Sequence, residues 1–335
     1  MTTDAPVLSI VVPVFNEEHT LETLHRRVVD AMERSGEIFE LVLVDDGSRD
    51  ASWERMRAIA ASDGRVVLVR LSRNFGHQIA TSAGVDAARG QAVVLMDADL
   101  QDPPEIVLGM LVRWREGYDV VYGRRTRRLG ESWFKRATAA VFYRTIRSLT
   151  SVDIPQDTGD FRLMSRRVVD VLRQCRERNR FLRGMVAWIG YRQIAVEYER
   201  AERFAGDTKF PVCKMVRFAA DAIVSFSFAP LRLATGLGLI VSLLSFLYGV
   251  YAVLAAIFQW DVVHGWASLI VAIVFLGGVQ LVSLGIVGEY VGRIYEEVKA
   301  RPLYIADVHR AGEATPAREP TSEGPRGLGP RQSSA

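Results

Sequence analysis

Asp97 and Asp99 follow the apolar run 92–96, and Gln101, Asp102 and Glu105 come directly after them. Carboxylates gathered at the end of a buried strand repel one another unless a cation lies among them. Hard oxygen donors suit Mg²⁺ or Mn²⁺, ions usually shared with a phosphate-bearing ligand. In open α/β sheets, ligands bind just beyond the carboxyl ends of the strands. The stretch therefore reads as a metal held against an anionic ligand. Asp102 and Glu105 read instead as the acidic start of a helix opened by Pro103.

Two further apolar runs end in polar signatures. One is Pro13-Val14-Phe15-Asn16-Glu17-Glu18, and the other is Asp45-Asp46-Gly47-Ser48. Hydrophobic periodicity predicts strands over 7–14, 40–44, 66–70, 92–96 and 118–122, with helices over 51–61, 76–89 and 103–116. Asn16 is placed to cap the helix that follows it, with Glu17 and Glu18 in the first turn. This alternation predicts an α/β fold with a mostly parallel sheet and helices on both faces. Parallel strands end on one edge, so the three signatures converge. Beyond residue 123 the pattern loosens to a helix over 131–148, strands over 158–164 and 193–199, and an interfacial helix over 212–228.

Composition narrows the class. The 335 residues carry 42 Lys and Arg against 39 Asp and Glu, a formal charge of +3. No basic block interleaved with aromatics is present, so no nucleic-acid partner is expected. The 2 cysteines lack CxxC spacing, which argues against a zinc site or a disulfide framework. The N-terminus shows no secretory leader pattern. Residues 233–258 and 267–288 contain no charge, and each run is long enough to cross a ~30 Å hydrocarbon layer. Lys214, Arg217 and Arg232 precede the pair, Arg293, Lys299 and Arg301 follow it, and the link 259–266 holds no Lys or Arg. The positive-inside rule then predicts two spans in the cell membrane, with both flanks, the catalytic part and both termini cytoplasmic.

Together these motifs resemble a family 2 glycosyltransferase with the GT-A fold. More narrowly they resemble the polyprenyl-phosphate glycosyltransferases, which include bactoprenol glucosyltransferases and dolichol-phosphate mannose synthases. The resemblance rests on Pro-Val-Phe-Asn-Glu-Glu at 13–18, Asp-Asp-Gly-Ser at 45–48, Asp-Ala-Asp-Leu-Gln-Asp-Pro-Pro-Glu at 97–105, Asp-Thr-Gly-Asp-Phe-Arg-Leu at 157–163 and Gly-Glu-Tyr-Val-Gly-Arg at 288–293. It implies inverting transfer of a sugar from a nucleoside diphosphate sugar, UDP favoured, to a polyprenyl phosphate. It implies that Pro13, Asn16, Glu18, Asp46, Asp97 and Ala98 line the nucleotide site. Asp97 and Asp99, with Gln101, would hold Mg²⁺ or Mn²⁺. Asp157, with Asp160 second, would stand near the reacting centre beside Asp99. Arg124, Arg136, Arg203 and Lys209 would meet phosphates.

The implied organisation is a GT-A catalytic domain at 1–210, a juxtamembrane amphipathic helix at 211–230 and two membrane helices at 231–293. A cytoplasmic return segment at 294–309 and a disordered tail at 310–335 complete it. Glu289 among Gly285, Gly288 and Gly292 reads as an acceptor-chain groove or a homo-oligomer contact, or as an interfacial carboxylate. Two other functions compete with this reading. A processive polysaccharide synthase would carry Gln-x-x-Arg-Trp, a string this chain lacks. An inactive membrane scaffold would have no use for the Asp97/Asp99 pair.

Overall fold

The computed structural model describes residues 6–126, 158–178, 180–199, 229–258 and 266–310. Strands β1 (Leu8–Val14) and β2 (Phe39–Asp45) are buried at every position, as expected of strands covered on both faces. Helix α1 (Leu21–Ser35) lies between them in the chain. Next come α2 (Ser52–Ser62), β3 (Val66–Leu71), α3 (His77–Ala87), β4 (Ala92–Leu95), α4 (Ile106–Arg115) and β5 (Val120–Arg125). Then follow β6 (Thr158–Ser165), α5 (Arg166–Gln174), α6 (Leu182–Ile189) and β7 (Gln193–Tyr198). The chain continues as α7 (Ala229–Ile257), α8 (Trp266–Val298) and β8 (Ala306–His309).

The sheet order is β7-β5-β6-β4-β1-β2-β3-β8. Its centre, β3-β2-β1-β4, is parallel, and β5 pairs parallel with β7. Strand β6 enters antiparallel between β4 and β5, and β8 closes the far edge antiparallel to β3. The sheet is thus mixed, more so than β-α alternation implies, because β6 and β8 arrive from long excursions instead of short crossovers. Apolar clusters fill both faces, one under α1, α2 and α4 and the other under α3, α5 and α6. Gly84 brings α3 close to the sheet, since a Cβ there would stand 2.3 Å from Val11 Cγ1.

Three local expectations are corrected. Helix α1 begins at Leu21 with Thr20 at its N-cap position, so Asn16 does not cap it. Helix α4 begins at Ile106, because residues 103–108 enter through tight i→i+3 bonds such as Ile106 N–H to Pro103 O at 3.1 Å. Asp102 is no solvated helix start: it is 0% exposed and accepts the Tyr198 hydroxyl. Glu105 does lie at the helix entrance, where it pairs with Arg27 at 2.8 Å.

Helices α7 and α8 contain windows, Ala234–Tyr251 and Phe275–Val298, long and apolar enough to cross a membrane. Neither window is buried, and residues such as Phe246 and Leu281 are largely exposed, unlike core helices of a soluble domain. Helix α8 runs past the uncharged stretch to Val298. The segment read as a return then supplies β8 to the sheet. The interfacial helix up to residue 228, the helix at 131–148 and the tail beyond 310 lie outside the described residues.

Candidate active site

The carboxyl ends of β1, β2 and β4 meet at one edge. Their registers, extended by two residues, set Pro13 beside Asp97 on one side and Asp160 of β6 opposite Asp97 on the other. Two facing carboxylates repel. His77, first residue of α3, stands between them: its Nε2 is 3.5 Å from Asp97 Oδ1 and 3.4 Å from Asp160 Oδ2. Asp160 also accepts Gln78 Nε2 at 3.1 Å and Arg183 Nε at 2.7 Å. Arg162, fully buried beneath, donates to the carbonyls of Gly159 and Asp160.

These surroundings split the two acids. Burial pushes the Asp97 carboxyl up to about 6, Asp160, Asp102 and Asp99 push the same way, and His77 only partly offsets them. Burial also opposes ionisation of Asp160, but His77 and Arg183 outweigh it and hold that carboxyl well below the usual range. Asp97 is therefore a carboxylate short of positive charge, whereas Asp160 is amply supplied. Asp99 accepts the backbone N–H of Gln101 at 3.1 Å, so Gln101 meets it through the main chain. Ala98 is buried at the turn between them. Among the described residues, no three His, Cys, Asp and Glu side chains form a ready metal cage. The donor set is a carboxylate pair, which suits an ion completed by substrate phosphates.

The β1 and β2 loops are stitched to each other. Asn16, at φ 56°, accepts Arg49 N–H through Oδ1 at 2.8 Å and gives its own N–H to Ser48 Oγ. Glu18 accepts Ala51 N–H at 3.0 Å and donates its N–H to Asp50 Oδ2. Asp46 accepts Phe75 N–H at 2.7 Å and Gly76 N–H at 3.0 Å, which ties β2 to the loop feeding α3. Burial nevertheless raises its carboxyl above the ordinary value. Gly47 makes this contact possible: its φ is 70°, and a Cβ would stand 2.6 Å from Asn74 N. Gly47→Ala is expected to destabilise the chain by about 1–3 kcal/mol, through left-handed strain and that backbone clash. A fall in thermal midpoint together with weaker nucleotide binding checks it.

The structure thus gathers Asp97, Asp99 and Asp160 in one region and Asn16, Glu18 and Asp46 in the adjoining loops. Arg124 is placed differently. It lies half-exposed on β5, ion-paired with Glu197. Its neighbour Arg125 is turned inward, 3.8 Å from Asp102. Asp157, Arg136, Arg203 and Lys209 lie outside the described residues. His77, Gln78 and Arg183 were missed by sequence reasoning. The signal for the first two was available: Gly76-His77-Gln78 opens the helix after β3, on the same sheet edge as the other signatures.

The family pattern "Glycosyl transferase family 2" matches residues 9–173, and "GtrB C-terminal hairpin" matches residues 229–294. The uncharacterized glycosyltransferase YkcC of Bacillus subtilis is 50% identical over 297 residues, covering 89% of this chain and 92% of that protein. The chain belongs to the family 2 glycosyltransferases. The prophage bactoprenol glucosyl transferase homolog of Escherichia coli K12 is 43% identical to this glycosyltransferase over 298 residues, 89% of this chain and 97% of that one. The bactoprenol glucosyl transferase of Shigella phage SfII is 44% identical, covering 89% and 96%. Glucosyl-3-phosphoglycerate synthase from Mycobacterium tuberculosis, solved with Mn²⁺, UDP and glucosyl-3-phosphoglycerate, aligns at 20% identity with a TM-score of 0.41, covering 65% of this chain and 78% of that one.

Proposed function

We propose that this glycosyltransferase moves glucose from UDP-glucose to a polyprenyl phosphate, with inversion at the anomeric carbon, on the cytoplasmic side of the cell membrane. The observation that carries the reading is the joining, in one chain, of the Asp97/Asp99 carboxylate pair at the sheet edge, with Asp97 raised by burial, to two exposed helices of membrane-spanning length. Relatives named bactoprenol glucosyl transferase align with this chain over almost their whole lengths. The basic flanks of α7 and α8 support the orientation.

Asp97 and Asp99 would hold Mg²⁺ or Mn²⁺ against the donor diphosphate. The ion, when bound, supplies Lewis-acid stabilisation of the departing phosphates. The stitched loops carrying Pro13, Asn16, Glu18 and Asp46 frame the nucleoside. An oxygen of the acceptor phosphate forms the new bond to the anomeric carbon as the bond to the diphosphate breaks, and UDP leaves. A phosphate monoester has a second pKa of about 6 and attacks already ionised. Asp160, with donors on both oxygens, then orients its neighbours and need not remove a proton. Asp157 shares that orienting role. Arg136, Arg203 and Lys209 serve the phosphates, and Arg124 would join them by exchanging Glu197 for substrate.

A donor screen tests this. Full-length protein in detergent, given undecaprenyl phosphate and Mn²⁺, is expected to form lipid-linked product from UDP-glucose in preference to UDP-N-acetylglucosamine or GDP-mannose. No lipid product from any nucleotide sugar, with natively folded protein, would overturn the proposal.

A further inference from the structure

Hydrogen bonds around Asp160 close into a ring. Arg183 Nε donates to Asp160 Oδ1 at 2.7 Å, and Gln78 Nε2 donates to Asp160 Oδ2 at 3.1 Å. The other end of the Gln78 amide, Oε1, accepts Leu182 N–H at 3.1 Å, one residue before Arg183. One side chain from α3 therefore fixes both the carboxylate of β6 and the start of α6. The Asp160 side chain is 11% exposed and that of Arg183 is 31% exposed. The same helix carries Trp188, 63% exposed. A helix that presents both a guanidinium and an exposed tryptophan suits a ligand with a charged head and an apolar chain at a membrane surface.

Strand order bears on which substrate this group would meet. The nucleotide loops belong to β1 and β2, the carboxylate pair to β4, and Asp160 to β6, on the side of β4 away from β1. A donor laid with its nucleoside over β1 and β2 and its diphosphate over β4 presents its sugar towards β6. There the incoming phosphate must arrive.

Resting on the proposed reaction, we propose that Arg183 contacts the phosphate of the lipid acceptor and that Gln78 is the positioning residue that holds it there. Planar guanidinium donors match phosphate oxygens. Asp160 anchors the group from behind and keeps it from folding onto the donor diphosphate. The Gln78 bond to Leu182 sets the height of α6, so Gln78 acts through Arg183 without touching substrate.

The test uses full-length protein in detergent and four variants: Arg183→Gln, Arg183→Lys, Gln78→Leu and Gln78→Glu. Steady-state rates are measured against undecaprenyl phosphate and UDP-glucose, and UDP binding with Mn²⁺ is measured by calorimetry. Arg183→Gln is expected to raise KM for undecaprenyl phosphate about tenfold or more, with UDP affinity unchanged. Arg183→Lys is expected to recover part of the loss. Both Gln78 variants are expected to shift the lipid KM in the same direction at unchanged UDP affinity. Gln78→Glu, which keeps an acceptor for Leu182 N–H but repels Asp160, should retain the melting temperature better than Gln78→Leu. An unchanged lipid KM in Arg183→Gln, or weakened UDP binding in its place, overturns the assignment. Gln78 variants that only lower the melting temperature overturn the positioning role. Absence of lipid product from the wild-type protein overturns the proposed reaction itself.

Discussion

Asp99→Asn is expected to lower glucosyl transfer roughly a thousandfold while leaving the fold intact. The substituted amide keeps an oxygen for the Gln101 N–H, so the turn retains its 3.1 Å bond. What disappears is the negative charge that a divalent ion needs. Asp97→Asn is expected to be as damaging to activity but to stabilise the metal-free protein. In the fold the Asp97 carboxyl is raised to about 6, above its unfolded value of about 3.9. A raised acid is penalised when ionised, and the penalty grows as pH climbs through the interval between those two values. Asp97→Asn removes it. The melting temperature in EDTA should therefore rise relative to wild type, by more at pH 7.5 than at pH 4.5. A site that sacrifices stability for charge is the expected signature of function. Assays of transfer and of thermal melting on the two variants check both halves.

Arg310→Ala is expected to cost about 3 kcal/mol, a large effect for a residue far from the site. Arg310 Nη1 lies 3.1 Å from Glu40 Oε2, and both side chains are about nine-tenths buried, at 11% and 9% exposure. Glu40 also accepts Ser9 Oγ and Arg89 N–H, so it joins β1, β2 and the turn after α3. Without Arg310 a buried carboxylate loses its ion-pair partner. The same residue anchors β8, which closes the exposed edge of β3. A drop in denaturation midpoint with Arg310→Ala, partly recovered by adding Glu40→Gln, would establish that the segment after the second apolar helix is an integral part of the catalytic sheet.

Much of this was legible in the sequence. The β-branched runs at 8–14, 39–45 and 92–95 announce buried strands, and their polar endings announce a shared edge. The apolar helices were visible because no soluble packing explains such long uncharged stretches. What stayed hidden depended on long-range pairing. Asp160 faces Asp97 only because β6 inserts antiparallel beside β4, a register set by tertiary contacts. Asp102 looked like helix-start chemistry until Tyr198, 96 residues away, supplied its hydroxyl. Four residues of β8 carry too little pattern to be read as a strand, and only the β3 edge gives them that conformation. The ion-pair partner of Arg124, Glu197, arrives only through the parallel pairing of β5 with β7.

The most direct test of the central claim is transfer of radiolabelled glucose from UDP-glucose to undecaprenyl phosphate by the purified full-length protein. Wild type and Asp99→Asn are compared, each with Mn²⁺ and with EDTA. The expected result is an inverted, lipid-linked glucosyl phosphate formed only by wild type with metal. Equal product from Asp99→Asn, or product undiminished by EDTA, would contradict the assignment of the carboxylate pair.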